Sequence, residues 1–125
     1  MFELYHKYKN YVKPVLLIYW ILLFTLTTIP SVPMDFGFQF QDKIEHSVAF
    51  MILSFMFTSY IYQKYENIKK TKSFFMVIII IALYAALDEL HQPLVGRICD
   101  IWDFIFDVLG AILGYFLLLK FEEKR

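Results

Sequence analysis

Four stretches of this chain stay apolar for about the length a helix needs to cross a bilayer, with polar residues in the gaps. They run Pro14 to Ile29, Ile44 to Tyr62, Ser73 to Gln92 and Ile101 to Leu119. A spanning helix takes about 20 residues, within roughly 17–25. Runs such as Met76 to Ile81 are continuously apolar rather than alternating, so they read as helix and not as barrel strand. The pattern predicts an all-α fold, an integral membrane four-helix transmembrane bundle forming one domain over residues 1–125. Pro14 suits a first helical turn, and Pro30 and Pro33 mark the exit of that helix. Pro93 and Gly96 close the third helix in the same way. No internal repeat or low-complexity tract is present.

Composition agrees with lipid as the solvent. Hydrophobic residues make up 59% of the chain, against about 45–50% in a soluble domain, and the mean hydropathy is +0.55. The run Val15 to Phe24 follows Lys7, Lys9 and Lys13 as in a signal peptide. The segment Thr27 to Pro33 has no small-x-small cleavage pattern, and more apolar segments follow, so it reads as an uncleaved first span. Cys99 is the only cysteine, which excludes an intrachain disulfide and zinc sites built from several thiolates.

The formal net charge is zero, but the charges are segregated. Lys7, Lys9 and Lys13, then Lys64, Lys69, Lys70 and Lys72, then Lys120, Lys124 and Arg125 fall on one side of a four-span arrangement. Only Lys43 and Arg97 fall on the other. The positive-inside rule puts both termini in the cytoplasm of a bacterial cell membrane. Asp35, Asp42, Glu45, Asp88, Glu89, Asp100, Asp103 and Asp107 gather on the outer side.

Helical spacing then says which acids share a face. In the fourth span Asp100, Asp103 and Asp107 recur at three and four residues, and Gly110 and Gly114 continue the stripe. Gly110 to Gly114 is a GxxxG, which lets two helix backbones approach closely and could also join copies into a homo-oligomer. In the second span Asp42, Glu45, His46 and Ala49 share the outer end of one face. In the third, Asp88 and Gln92 are four apart, and Glu89 is rotated by about a quarter turn. Counting about 1.5 Å per residue from Ser73, Asp88 lies about 22 Å along its helix, several ångströms inside a core about 30 Å thick. Three helices are therefore expected to deliver acids and His46 to a shallow polar pocket open to the outside.

Asp42-Lys43-Ile44-Glu45-His46 resembles the DKxxH motif that opens the second span in the VanZ-like family. Asp88-Glu89-Leu90-His91-Gln92, Gly96-Arg97, Asp100, Asp103, Gly110 and Gly114 resemble the signature that follows it there. Two positions depart. Asp107 stands where the family usually has Asn, and His91 where an apolar residue is common. The resemblance implies a small bacterial membrane protein of the cell envelope, since the founding member is associated with low-level resistance to the glycopeptide teicoplanin. It does not imply a defined reaction.

Ionisable groups inside a membrane are costly, by about 2.5–3.5 kcal/mol each on insertion scales, so their concentration here points to function. Asp42, His46, Asp88 and Glu89 are the candidates for proton transfer or catalysis. Lys43, Gln92, Arg97, Asp100, Asp103 and Asp107 are the candidates for ligand contact. Arg97 has the planar fork that grips phosphate or carboxylate; an internal pair with Glu89, Asp100 or Asp103 is the structural alternative. His46 suits a proton shuttle, or a helix-end hydrogen bond to a carboxylate.

So many acids close together require protonation or a cation, and a divalent ion is possible as cofactor. His46, Asp88 and Asp103 are the candidate metal ligands, although no HExxH-like motif marks them. Cys99 beside Asp100 is incidental, because an acidic surrounding raises a thiol's pKa.

The expected partners are membrane lipid and a lipid-linked wall precursor, with no nucleic acid. The preferred expectation is binding or modification of such a head group. A non-enzymatic accessory protein and a small oligomeric transporter are the alternatives.

Overall fold

The computed structural model describes residues 3–29, 41–96 and 98–124, with side chains of the first helix from Lys7 onward. Helix α1 covers Glu3–Thr28, α2 Gln41–Lys64, α3 Lys70–His91 and α4 Ile101–Glu123. Each holds a window long and apolar enough to cross a membrane. No strand occurs among the described residues. The chain is a multi-pass membrane protein built as a bundle of four helices.

Successive helices run antiparallel, and α2 and α4 share the most extensive contact. Helix α1 packs on α2 and touches α3, while α4 packs on α2 and α3. The ring order is therefore α1, α2, α4, α3. Two stripes at helical spacing explain the core. On α3, Ser73, Val77, Ile81, Ala85, Asp88 and Glu89 are buried; on α4, Asp103, Asp107, Gly110, Ala111, Gly114, Tyr115 and Leu118 are. Phe50, Leu53, Phe57 and Ile61 of α2 fill the space between them.

Residues such as Ile18, Ile21, Leu83, Leu87, Leu113 and Phe116 stay exposed on the perimeter. Lipid offers these side chains as apolar a surrounding as a core would, so packing contacts and hydrogen bonds hold the helices together. One such bond ties α1 to α2, where the Tyr19 hydroxyl donates to the Ala49 carbonyl at 2.7 Å. Another ties α2 to α4, where Ser54 Oγ donates to the Ala111 carbonyl at 2.6 Å.

Pro14 does not open α1, contrary to the expectation, but lies inside it. The polar segment before it, with Lys7, Lys9 and Lys13, continues the same helix. A proline costs one backbone bond and strains its turn, and here that does not end the helix. The exit at Pro30 and Pro33 lies outside the described residues. Pro93 and Gly96 behave as expected. A 3-10 turn over Gln92–Val95 follows α3, and Gly96 ends it at φ +78°, a left-handed backbone that glycine adopts without a Cβ penalty.

The GxxxG is occupied within the chain. A Cβ on Gly110 would collide with the Ser47 backbone carbonyl of α2, and one on Gly114 with that of Met51. These two glycines allow α2 and α4 to meet backbone to backbone, so they present no face to a second copy. A homo-oligomer would have to use another surface.

Candidate functional site

The two ends of the bundle differ in kind. At the end of the chain termini, Ser73 Oγ lies 2.8 Å from both the Tyr62 and the Tyr115 hydroxyl. Tyr115 also donates to the Lys70 carbonyl at 2.9 Å. This neutral hydroxyl knot closes the end from inside. An exposed pair, Lys70–Glu123 at 3.2 Å, also links α3 and α4 at this end. The sequence reading missed this knot; Ser73 at the start of the inward stripe of α3 was its one visible sign.

The opposite end collects the acids. Asp42, Lys43 and His46 sit in the first turns of α2, Glu89 and Gln92 at the close of α3, and Asp100, Asp103 and Asp107 at the start of α4. Asp100 caps α4 by accepting from the Trp102 amide at 2.9 Å, as an N-cap aspartate does. Lys43 Nζ reaches across to Asp103 at 2.8 Å and Asp100 at 2.9 Å, with Asp42 at 3.5 Å. Asp100 lies outside the spans, and the Lys43 ammonium, with the Trp102 amide, holds its carboxyl below the usual range.

Deeper in, His46 Nδ1 lies 2.9 Å from Asp107 Oδ1, while its Nε2 is 3.8 Å from both Asp42 and Asp103. Asp107 is fully buried. Its second oxygen, Oδ2, has no hydrogen-bond partner among the described residues. Glu89, also buried, accepts from Gln92 Nε2 and from the Asp100 amide, both at 3.1 Å. It thereby braces the link between α3 and α4. Among the described residues, two groups have donor atoms close enough to share an ion, Asp42–His46–Asp103 and His46–Glu89–Asp107.

Convergence of α2, α3 and α4 is as the sequence predicted, but three assignments change. Asp88 does not join the His46 cluster. It turns toward α1, where Thr27 Oγ1 donates to Asp88 Oδ1 at 2.7 Å, and neither metal-capable group contains it. Gln92 pairs with Glu89 rather than lining up with Asp88, because three residues as well as four bring side chains together on a helix. Glu45 leaves the shared face and bonds Gln41 at the exposed rim. Arg97 and Asp35 lie outside the described residues.

Thr27 is a further residue that the apolar pattern does not mark, although the run Thr25-Leu26-Thr27-Thr28 places hydroxyls at the depth of Asp88. Thr27→Val leaves the buried Asp88 carboxyl without its donor. It is expected to lower stability in mixed-micelle unfolding by about 1–3 kcal/mol. Thr25→Val, at an exposed site whose hydroxyl donates to the Ile21 carbonyl of its own helix, should change it by no more than about 0.5 kcal/mol.

A cavity lies beside this cluster. A groove of about 260 Å³ between α3 and α4 is lined by Ala86, Leu90, Cys99, Ile101 and Phe104, with Glu89 and Asp100 at its polar edge. A shallow cup facing outward water was expected. Among the described residues, Lys43 and His46 of α2 meet the acids of α4 at this end, and the groove lies beside them, between α3 and α4.

The order of the motifs along the chain, and the glycines that seat α4 on α2, are now joined by a direct comparison. A family model described as VanZ/LLP1 matches residues 6–122. The chain belongs to the VanZ/LLP1 family. The match spans all four helices, so the VanZ/LLP1 resemblance covers the bundle and not the motif segments alone. Searches of curated proteins and of solved structures returned no match.

Proposed function

We propose that this VanZ/LLP1 protein binds, from within the bilayer, the head group of an envelope lipid or lipid-linked wall precursor. The observation that carries the reading is the position of Glu89. One carboxylate belongs both to the apolar groove between α3 and α4 and to the buried His46–Asp107 group. An amphiphile could lay its chain against Ala86, Leu90, Ile101 and Phe104 and bring its polar end to Glu89 and Asp100. Ligand sites of this kind pair an apolar wall with a few placed polar groups.

In this reading Lys43 holds Asp100 and Asp103 in place, Arg97 contacts an anionic group, and His46 with Asp42 and Asp107 serves proton transfer if the head group is modified. Packed side chains such as Phe50, Leu53, Val77 and Ile81 separate the two polar ends. That favours a one-sided site over a transport path through a single chain.

The same reading places the acidic end at the outer face of the bacterial cell membrane and links the site to glycopeptide tolerance. Cys99 is the only cysteine, and it is exposed. A membrane-impermeant maleimide should therefore label it on intact cells without prior lysis. Expression of the wild-type chain should raise teicoplanin tolerance at least several-fold. Glu89→Gln and the groove-filling Ala86→Trp should abolish that gain, while Lys70→Met at the other end should not. Labelling only after lysis would overturn the orientation. Unchanged tolerance in both groove variants, made at wild-type levels, would overturn the site.

A further inference from the structure

The charges at the acidic end do not balance among the described residues. Asp42, Glu45, Asp88, Glu89, Asp100, Asp103 and Asp107 stand against Lys43, His46 and His91 as possible cations. Lys43 is spent on the outer layer, Asp100, Asp103 and Asp42. Among the described residues, no ion pair gives the inner group, His46 with Glu89 and Asp107, a cation apart from the imidazole itself. Burying ionised carboxylates without compensation costs several kcal/mol per charge, and the fully buried Asp107 Oδ2 adds an acceptor with no donor. Two carboxylates, one neutral imidazole and one dication sum to zero.

We propose that His46, Glu89 and Asp107 form a binding site for one divalent transition-metal ion of the Mn²⁺ or Zn²⁺ type. Their donor atoms already lie within 4.8 Å of one another. The 2.9 Å between His46 Nδ1 and Asp107 Oδ1 is also the separation of adjacent ligands around an octahedral ion with bonds of about 2.1 Å. The outer contacts suit the role. His46 has the Asp42 and Asp103 carboxylates 3.8 Å from its other nitrogen, an electrostatic contact and not a hydrogen bond, while Glu89 is oriented by Gln92 and the Asp100 amide.

Mixed imidazole and carboxylate donors select Mn²⁺ or Zn²⁺ over Ca²⁺. The second group, Asp42–His46–Asp103, is the weaker choice, because the Lys43 ammonium already contacts both of its carboxylates. Three protein ligands leave positions on the ion for water or an anionic oxygen. That would let an acidic cluster accept an anionic head group, and only this last step rests on the function proposed above.

The test uses the full chain in detergent, stripped with EDTA and titrated separately with Mn²⁺ and Zn²⁺, with bound Mn²⁺ read by electron paramagnetic resonance. The expected result is one ion per chain, a nitrogen hyperfine coupling on Mn²⁺, and at least tenfold weaker binding in Glu89→Gln and Asp107→Asn. Lys70→Met should bind as wild type does. Folded wild-type protein that binds neither ion at millimolar concentration would overturn the site. So would bound Mn²⁺ without a nitrogen coupling, a reading that needs no variant. No lipid enters the assay, so its failure is separate from any failure of head-group binding.

Discussion

Gly110→Val is expected to separate α2 from α4 and unfold much of the bundle. The added Cβ alone would stand 2.8 Å from the Ser47 carbonyl carbon and 2.9 Å from its Cα, and closer still to its oxygen. All three are backbone atoms, so no side-chain rotation can relieve the contact. Gly110→Ala should be milder and serves as the graded case. Alanine favours helix over glycine by about 1 kcal/mol, yet overpacking costs about 1–3 kcal/mol. Where the obstacle is a helix backbone, the upper part of that range applies and the sign is destabilising. Gly114→Ala, facing the Met51 carbonyl and Ser54 Cβ, should behave likewise. Unfolding in mixed micelles measures both, and a Gly110→Val chain as stable as wild type would show that α4 does not lie against α2 at this point.

The second large effect is expected at Lys43. Lys43→Met removes the cation that, among the described residues, Asp100 and Asp103 share, and the Asp103 side chain is only 7% exposed. Breaking a buried ion pair from one side costs about 3–5 kcal/mol, because the abandoned charge stays behind. Asp100 is a third exposed and water will screen its share, so a loss near 3 kcal/mol is expected, at the low end of that range. Lys70→Met breaks a pair whose members are 68% and 66% exposed and should cost less than about 1 kcal/mol. The contrast separates the two ends of the molecule by the same kind of substitution. Equal effects at both would mean that the acidic end is as wet as the surface.

Much of this was legible along the chain. Four helices, the stop at Pro93 and Gly96, and the inward stripe from Asp103 through Asp107 to Gly110 and Gly114 all follow from periodicity and glycine spacing. What was not legible concerns the rotation of neighbouring residues at the end of α3. Asp88 and Glu89 are about 100° apart on the helix, so one faces α1 and the other faces α4. Nothing local to the sequence says which. That choice is set by the ring order of the helices, a tertiary fact. The first helix misled in the same way: Pro14 reads as a start signal, but whether the preceding turns are helical depends on residues with no apolar pattern of their own. The groove was invisible because its lining comes from three separate stretches, the end of α3, the link at Cys99 and Asp100, and the start of α4.

Helices α2 and α4 meet through His46 and Asp107 inside the acidic end. A double-mutant cycle with His46→Leu, Asp107→Leu and the pair, measured by unfolding in bicelles, tests that contact directly. Each single substitution should strand its partner, and the double should recover part of the loss, giving an interaction of about 1–3 kcal/mol. Losses that add to within about 0.5 kcal/mol would mean that the two side chains do not meet.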